Sequence, residues 1–170
     1  MRIETERLVL RRFTLQDLEP LEAMGTDPGV ARWLGCRTRD DAVETIERYE
    51  RNWARFGFGR FAIEDRKTGE FVGRVGVMHQ PGWTATPEKE EIGWAIVGAR
   101  QGEGLATEAA RAAIADAFHR VGLQRITSWT VPENLASRRV MEKCGLVYQG
   151  VTLWRGADHV WYEIRASTAR

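Results

Sequence analysis

The chain has 170 residues, 43% of them hydrophobic, which is enough for a single domain with a full core. Its 25 basic and 24 acidic residues nearly cancel, so no broad electrostatic attraction to nucleic acid or to a membrane surface is expected. No apolar run approaches the roughly 20 residues that span a bilayer, and the N-terminus lacks the apolar segment of a signal peptide.

Apolar periodicity and the placement of glycine predict the element order β-α-α-β-β-β-α-β-α-β-β. A strand at 8–10 precedes two helices that begin near Thr14 and Thr38, because each threonine has an aspartate three residues on, as in a capping box. The later elements are strands at 58–64, 70–78 and 92–97, a helix at about 103–121, a strand at 124–131, a helix at 134–144, and strands at 147–154 and 159–164. This order indicates an α+β fold with a mixed sheet of about seven strands and about four helices, in one domain over residues 1–170.

A glycine-rich loop at residues 98–108 lies between a predicted strand and an alanine-rich helix. Gly102 and Gly104 let the backbone come close to a ligand, and the start of the helix presents unpaired N–H groups. Together these features predict an anion site suited to a phosphate or pyrophosphate. The loop lacks the Gly-Lys-Ser/Thr end of a Walker A motif and the later acidic residue of a dinucleotide fingerprint. A tight turn without a ligand is the alternative.

A second motif follows the next predicted strand, Pro-Glu-Asn-Leu-Ala-Ser-Arg-Arg-Val-Met-Glu-Lys-Cys-Gly-Leu over residues 132–146. The loop itself contains Gln101-x-x-Gly104-x-Ala106, and the chain opens with Glu-Thr-Glu-Arg-Leu-Val-Leu-Arg at residues 4–11. In this order the three segments resemble the GNAT superfamily of acetyl-CoA-dependent N-acyltransferases, and in particular its ribosomal-protein N-terminal acetyltransferase branch. The resemblance covers residues 2–165, nearly the whole chain.

The resemblance implies how acetyl-CoA would bind. The strand before the loop would splay from the next strand, and the pantetheine arm would pair with the backbone of Ile96 and Val97, one of whose N–H groups would be the oxyanion donor. Asn134 would bond a pantetheine amide, although it is also suited to be a helix N-cap and the two roles can coexist. The residues expected to hold the pyrophosphate are Gln101, Gly102, Gly104, Leu105, Ala106 and Thr107.

Ser137 is the first candidate for the chemistry. It lies one helical turn after Asn134, and many family members carry a tyrosine further along this helix as general acid. The resemblance implies that Ser137 takes the place of that tyrosine here and that its hydroxyl stabilises the leaving thiolate. A serine that only caps the helix is the alternative.

Glu91 is the second candidate, as the base that accepts the proton of the amine. The alternation of a strand puts it on the same face as Gly93 and Ala95, whose small side chains are expected to leave room for substrate. The alternative is a solvated charge at the edge of a strand. His79, Asp158 and His159, near the ends of loops, are further candidates for the base.

The predicted function is that of an acetyl-CoA-dependent N-acetyltransferase acting on a primary amine, either a protein N-terminus or a small molecule. The alternative is a non-catalytic module that binds or senses acyl-CoA. The acceptor is therefore the expected partner, with no nucleic acid or membrane, and a homodimer stays open. Cys36 and Cys144 lack zinc spacing, so we expect no metal, reduced thiols, a cytoplasmic location, and Cys144 in the core.

Two further groups of side chains bear on the acceptor. Scattered arginines could orient an acidic substrate, although such residues are usually solvated. Tryptophans near loops could border the acceptor site, although packing in the core is the simpler interpretation. The residues concerned are Arg32, Arg37, Arg60 and Arg155, and Trp33, Trp83 and Trp154.

Overall fold

The computed structural model describes residues 1–33 and 37–166, so Cys36 lies outside the described residues. Within them, eight strands form one sheet: β1 Arg2–Glu4, β2 Leu8–Arg12, β3 Arg60–Asp65, β4 Phe71–His79, β5 Glu90–Ile96, β6 Arg125–Thr130, β7 Val147–Trp154 and β8 Ala157–Arg165. The helices are α1 Leu18–Thr26, α2 Arg39–Phe56, α3 Leu105–His119 and α4 Leu135–Lys143.

The predicted order of elements is confirmed, with one strand added at the start. β1 is only three residues long and largely exposed, so its sequence carries no apolar alternation that would reveal it. It is a strand because its backbone pairs with β2, from Arg2 opposite Arg11 to Glu4 opposite Val9. The α+β fold with a mixed sheet is confirmed, and the number of strands is eight rather than seven.

The sheet has the strand order β1-β2-β3-β4-β5-β6-β8-β7. All neighbouring strands are antiparallel except β5 and β6, which are parallel and are connected by α3. One face packs its apolar side chains against α3, including Leu105, Ala109 and Ala113. The other face packs against α1 and α2 through residues such as Leu21 and Ile46. The sheet is therefore covered on both faces by helices.

The parallel pair is joined only at one end. Its single paired position is Glu91 opposite Thr127. Side chains complete the junction, because the hydroxyl of Thr127 donates to the carbonyl of Glu90 at 3.1 Å and that of Ser128 to the carbonyl of Ile92 at 2.8 Å. Beyond this point β5 and β6 separate, so the centre of the sheet contains the splay that the resemblance implies.

Cys144, at the C-terminus of α4, belongs to the core cluster on the α3 side, which confirms the interpretation from the sequence. Burial raises the pKa of its thiol to about 11. Among the described helices, none combines the length and the apolar character needed to cross a membrane.

Candidate active site

A first cavity of about 310 Å³ opens where the separated end of β5 meets the starts of α3 and α4. It brings together segments that are distant in the sequence. Most of the residues predicted to hold a cofactor line it, together with one of the two catalytic candidates. They are Ile96, Gln101, Gly102, Gly104, Leu105, Ala106, Thr107, Asn134 and Ser137.

The glycine-rich loop has the backbone conformation of an anion site. Gly102 and Gly104 have φ values of 84° and 82°, in the left-handed region that favours glycine. Gly104 is the N-cap of α3. The first hydrogen bond of the helix is donated by the N–H of Glu108 to the carbonyl of Gly104, at 3.1 Å. The N–H groups of the preceding first turn therefore have no helical acceptor, and they border the cavity with the positive end of the helix dipole.

The backbone at the end of β5 distinguishes the two residues expected to meet the pantetheine arm. The N–H of Val97 donates to the carbonyl of Val72 at 3.0 Å, so it is not free to be an oxyanion donor. In an antiparallel ladder, alternate residues point their N–H groups to opposite sides. The N–H of Ile96 therefore points to the splay, while its carbonyl accepts from the side chain of Gln101 at 3.0 Å.

Positive charge around the first cavity comes from α4. Arg100, in the loop, is already paired with Asp65 at 3.1 Å and with Glu103 at 2.8 Å. Arg139 and Lys143 also line the cavity, and neither forms an ion pair with another described residue. Sequence reasoning missed both, although their i, i+4 spacing on α4 puts them on one face of that helix.

Residues 27–33 form a further wall of the first cavity. The carboxylate of Asp27 accepts from the N–H of Gly98 at 2.7 Å and from that of Gly29 at 2.8 Å. It thereby fixes the end of α1 to the beginning of the glycine-rich loop. Gly29, Val30 and Trp33 line the cavity as a result, and Trp33 thus lies beside the expected cofactor site.

At the start of α4, Asn134 has a structural role that agrees with one of its two interpretations. Its Oδ1 accepts from the N–H of Ser137 at 3.2 Å, which makes Asn134 the N-cap, and its Nδ2 donates to Thr130 at 3.0 Å. Ser137 contributes its backbone N–H to this cap and not its hydroxyl. Ser137 also lines the cavity, and the role of its hydroxyl stays a prediction.

A second cavity, of about 150 Å³, lies on the face of the sheet that packs against α1 and α2. Glu91 lines it and is only 8% exposed, so the interpretation as a solvated edge charge is wrong. Its Oε2 accepts from Nη2 of Arg60 at 2.5 Å. Further lining side chains are cationic or aromatic: Arg48, Arg74, Arg155, Trp129 and Trp154.

Arg60 fills the space that was expected to be open to substrate. Arg60, Gly76 and Gly93 lie side by side on β3, β4 and β5. Nη1 of Arg60 donates to the carbonyls of both glycines, at 3.0 Å for Gly93. A Cβ at Gly93 would lie 2.6 Å from Oε1 of Glu91 and 2.7 Å from Nη2 of Arg60. Gly93 thus makes room for the ion pair, in which burial lowers the pKa of Arg60 and the charge of Glu91 opposes this effect.

Residues 7–147 match the family model described as the acetyltransferase (GNAT) domain. The chain belongs to this family. It is 30% identical to the uncharacterized N-acetyltransferase YoaA of Bacillus subtilis over 152 residues, which cover 88% of this chain and 84% of that protein. It is also 30% identical over 156 residues to the FsC-acetyl coenzyme A-N(2)-transacetylase of Aspergillus fumigatus, covering 86% of this chain and 65% of that protein.

Solved structures agree with this assignment to the GNAT family. The acetyltransferase of Agrobacterium tumefaciens superposes with a TM-score of 0.83 at 28% sequence identity, over 98% of this chain and 95% of that one. The resemblance inferred from the sequence motifs is therefore confirmed at the level of the superfamily.

The remaining candidates are distributed around the GNAT sheet. His79 lies 3.1 Å from Glu90, and neither His79 nor Asp158 nor His159 lines either of the two cavities. Trp83 is fully buried and stacks on Trp129 with ring centroids 3.9 Å apart, which confirms packing as its role. Arg60 and Arg155 line the second cavity, whereas Arg32 and Arg37 line neither cavity.

Proposed function

We propose that this GNAT domain is an acetyl-CoA-dependent N-acetyltransferase that acts on a primary amine. The observation that carries the proposal is the first cavity, in which the unpaired N–H groups of α3 lie beside the splay of β5 and β6. The names of the relatives support N-acetyl transfer, and that of the Aspergillus relative contains acetyl coenzyme A. We expect the protein to act in the cytoplasm.

The residues of the first cavity suit the cofactor in charge and in hydrogen-bonding capacity. The backbone between Gln101 and Thr107 would hold the pyrophosphate, and Arg139 and Lys143 add cationic side chains without acidic partners. Asn134 retains one amide hydrogen beyond its bond to Thr130, which is suited to a pantetheine carbonyl. Acetyl-CoA would supply the acetyl thioester, with a thiol as the leaving group.

Three groups of the chain would then act on the reaction. The N–H of Ile96 would donate to the acyl oxygen as negative charge develops there, with Val97 as its neighbour beside the pantetheine arm. The hydroxyl of Ser137 would donate to the departing sulfur. Glu91 would accept the proton of the amine, directly or through a water, because its Oε2 holds Arg60 while Oε1 accepts no hydrogen bond from another described residue.

Release of free thiol from acetyl-CoA in the presence of single amines tests this function. Amino acids, N-terminal peptides, polyamines and aminoglycosides form a suitable panel. We expect at least one class to accelerate thiol release, with an N-acetylated product by mass spectrometry. Ser137→Ala should lower kcat on that acceptor while the affinity for acetyl-CoA stays nearly unchanged, and a full kcat would remove Ser137 from the chemistry.

A non-catalytic acyl-CoA-binding module is the second candidate. It is favoured by the absence of a tyrosine from α4 and by the engagement of Glu91 with Arg60. Binding of acetyl-CoA by calorimetry, combined with no thiol release for any class of amine, would establish this function instead.

A further inference from the structure

The second cavity carries a marked excess of positive charge. Among the described residues that line it, four are arginines, Arg48, Arg60, Arg74 and Arg155, and Glu91 is the single carboxylate. The ion pair of Glu91 with Arg60 compensates one of the four. The others form no ion pair with any residue that the structure describes. Three of the arginines that line this cavity therefore have no anionic partner among the described residues.

Arg74 is the most informative of these arginines. It lies on β4 between Ala62 of β3 and Ala95 of β5, on the sheet face that also bears Glu91. Its side chain is half-buried, and its Nε is buried without a hydrogen-bond partner, as is Nε of Arg60. A buried donor without a partner costs free energy, so the fold itself leaves the guanidinium of Arg74 incompletely satisfied.

The mouth of the second cavity is lined by cationic and aromatic side chains. Arg155 lies over the ring of Trp154 with its guanidinium 5.3 Å from the ring centroid, and Arg48 lies over Tyr49 at 5.6 Å. Both arginines are exposed, so they can meet a ligand as it enters. Trp129, stacked on buried Trp83, gives a planar wall that is rigidly supported. The cavity thus has cationic and aromatic sides and one acidic group.

We propose that this cavity binds the acceptor and that the acceptor is a small amine that carries a carboxylate. This inference rests on the proposed N-acetyltransferase function, of which it names the substrate class. The planar fork of a guanidinium matches a carboxylate through two parallel hydrogen bonds, so Arg74 is suited to the acid of the acceptor. Glu91 is the group suited to its amine. Polyamines and aminoglycosides are cationic, and the excess of positive charge disfavours them.

Matched pairs of amines test the proposal by kinetics. Each L-amino acid of a panel is compared with its own carboxamide and with a diamine of similar length, by kcat/KM for thiol release. Carboxamides have the less basic amine, so the comparison is biased against the proposal. We expect the carboxylate to be preferred about tenfold or more in at least one pair, as is typical of a hydrogen-bonded charge.

Variants test whether the preference for a carboxylate arises in the second cavity. Arg74→Gln should lower kcat/KM for the preferred amino acid about tenfold or more, mainly through KM, and should leave its carboxamide nearly unaffected. Because Arg74 has no partner to lose, this variant should remain folded. Arg51→Gln, at an exposed arginine of α2 outside both cavities, is the matched control and should change neither substrate.

Binding provides a readout that does not require turnover. N-acetylated amino acids should quench the fluorescence of Trp129 and Trp154 in the CoA-loaded wild type and not in Arg74→Gln. If carboxamides or diamines are turned over as well as the amino acids, the inference is overturned while the proposed function stands. If no amine is turned over, the proposed function fails, and the fluorescence titration alone decides whether the cavity binds amino carboxylates through Arg74.

Discussion

At Gly104 the left-handed backbone and the expected phosphate contact coincide. A branched side chain is strained at its φ of 82° and would stand in front of the unpaired N–H groups of α3. The nearest protein atom to an added Cβ is Nη2 of Arg7 at 3.6 Å, so the fold itself has room for it. We therefore expect Gly104→Val to abolish acetyl-CoA binding in calorimetry while the protein remains folded.

Gly122 provides the matched control for this substitution. It lies just beyond the other end of α3, also with a φ of 82°, and an added Cβ would have no neighbour within 4 Å. Gly122→Val therefore introduces the same backbone strain without approaching the first cavity. Equal affinities in the two variants would show that strain, and not the ligand site, explains any loss at Gly104.

The role of Glu91 as a base is tested by the pH–rate profile. A carboxamide cannot accept the proton of the amine, so its introduction at this position should alter the acidic limb of that profile. Glu91→Gln should lose or displace this acidic limb of the pH–rate profile. The substitution also leaves Arg60 without its counter-charge, which should lower the free energy of unfolding by up to about 3–5 kcal/mol. The assay is therefore run below the melting temperature of the variant.

Glu90 is the neighbouring carboxylate and the natural control. It pairs with His79 at 3.1 Å and lines neither cavity, so Glu90→Gln should keep the wild-type profile. Several acceptors are needed, because the pKa of the acceptor amine contributes to the same limb. An unchanged profile and rate in Glu91→Gln would restrict Glu91 to holding Arg60 in place.

How far a residue could be assigned from the sequence depends on the range of its contacts. The loop at Gly102 and Gly104 and the cap at Asn134 are local features, and the sequence alone located both. The partner of Glu91 could not be found in this way, because Arg60 is 31 residues distant and approaches only through the pairing of β3, β4 and β5. Strand neighbours are not encoded in apolar periodicity.

Among the elements, the β7–β8 hairpin contains backbone strain beside the second cavity. Its turn has Arg155 at a φ of 49° followed by Gly156 at 82°, the signs that a type I′ turn requires. Asparagine tolerates this conformation better than arginine. Arg155→Asn should therefore raise the free energy of unfolding by about 1 kcal/mol in a denaturant titration. It should also raise KM for an amino carboxylate, because it removes a cation from the mouth of the cavity.

Arg155→Lys separates the two effects at this turn. It keeps the positive charge and the strain, so its stability should equal that of the wild type and its KM should rise less than that of Arg155→Asn. If Arg155→Asn gains stability and leaves KM unchanged, Arg155 does not contact the acceptor.

The positions of strands β5 and β6 could be predicted from the sequence, but the junction between them could not. Their positions, to within two residues at each end, and the connection through α3 could be anticipated from apolar runs, glycines and the predicted helix. The hydroxyls of Thr127 and Ser128, which join β5 to β6 through the carbonyls of Glu90 and Ile92, could not, because serine and threonine in a strand carry no signal of a cross-strand partner. Those two hydrogen bonds fix where the strands begin to separate.

For the whole molecule, the first cavity is a junction of distant segments. Residues 27–33, the end of β5, the glycine-rich loop and the start of α4 all contribute to it, and Asp27 connects the first of these to Gly98. A ligand that binds there contacts every one of these segments in the folded chain and only isolated groups in the unfolded one. Binding should therefore stabilise the molecule as a whole.

The size of this stabilisation follows from mass action. Acetyl-CoA at about one hundred times its Kd should add about 2.7 kcal/mol, which for a chain of this length corresponds to a rise in Tm of about 5–10 °C. Scanning calorimetry measures it directly. S-acetylpantetheine, which lacks the pyrophosphate, should give a much smaller shift because it cannot reach the N–H groups of α3. Gly104→Val should lose the shift with acetyl-CoA, and equal shifts for both ligands would contradict the assignment of the glycine-rich loop to the pyrophosphate.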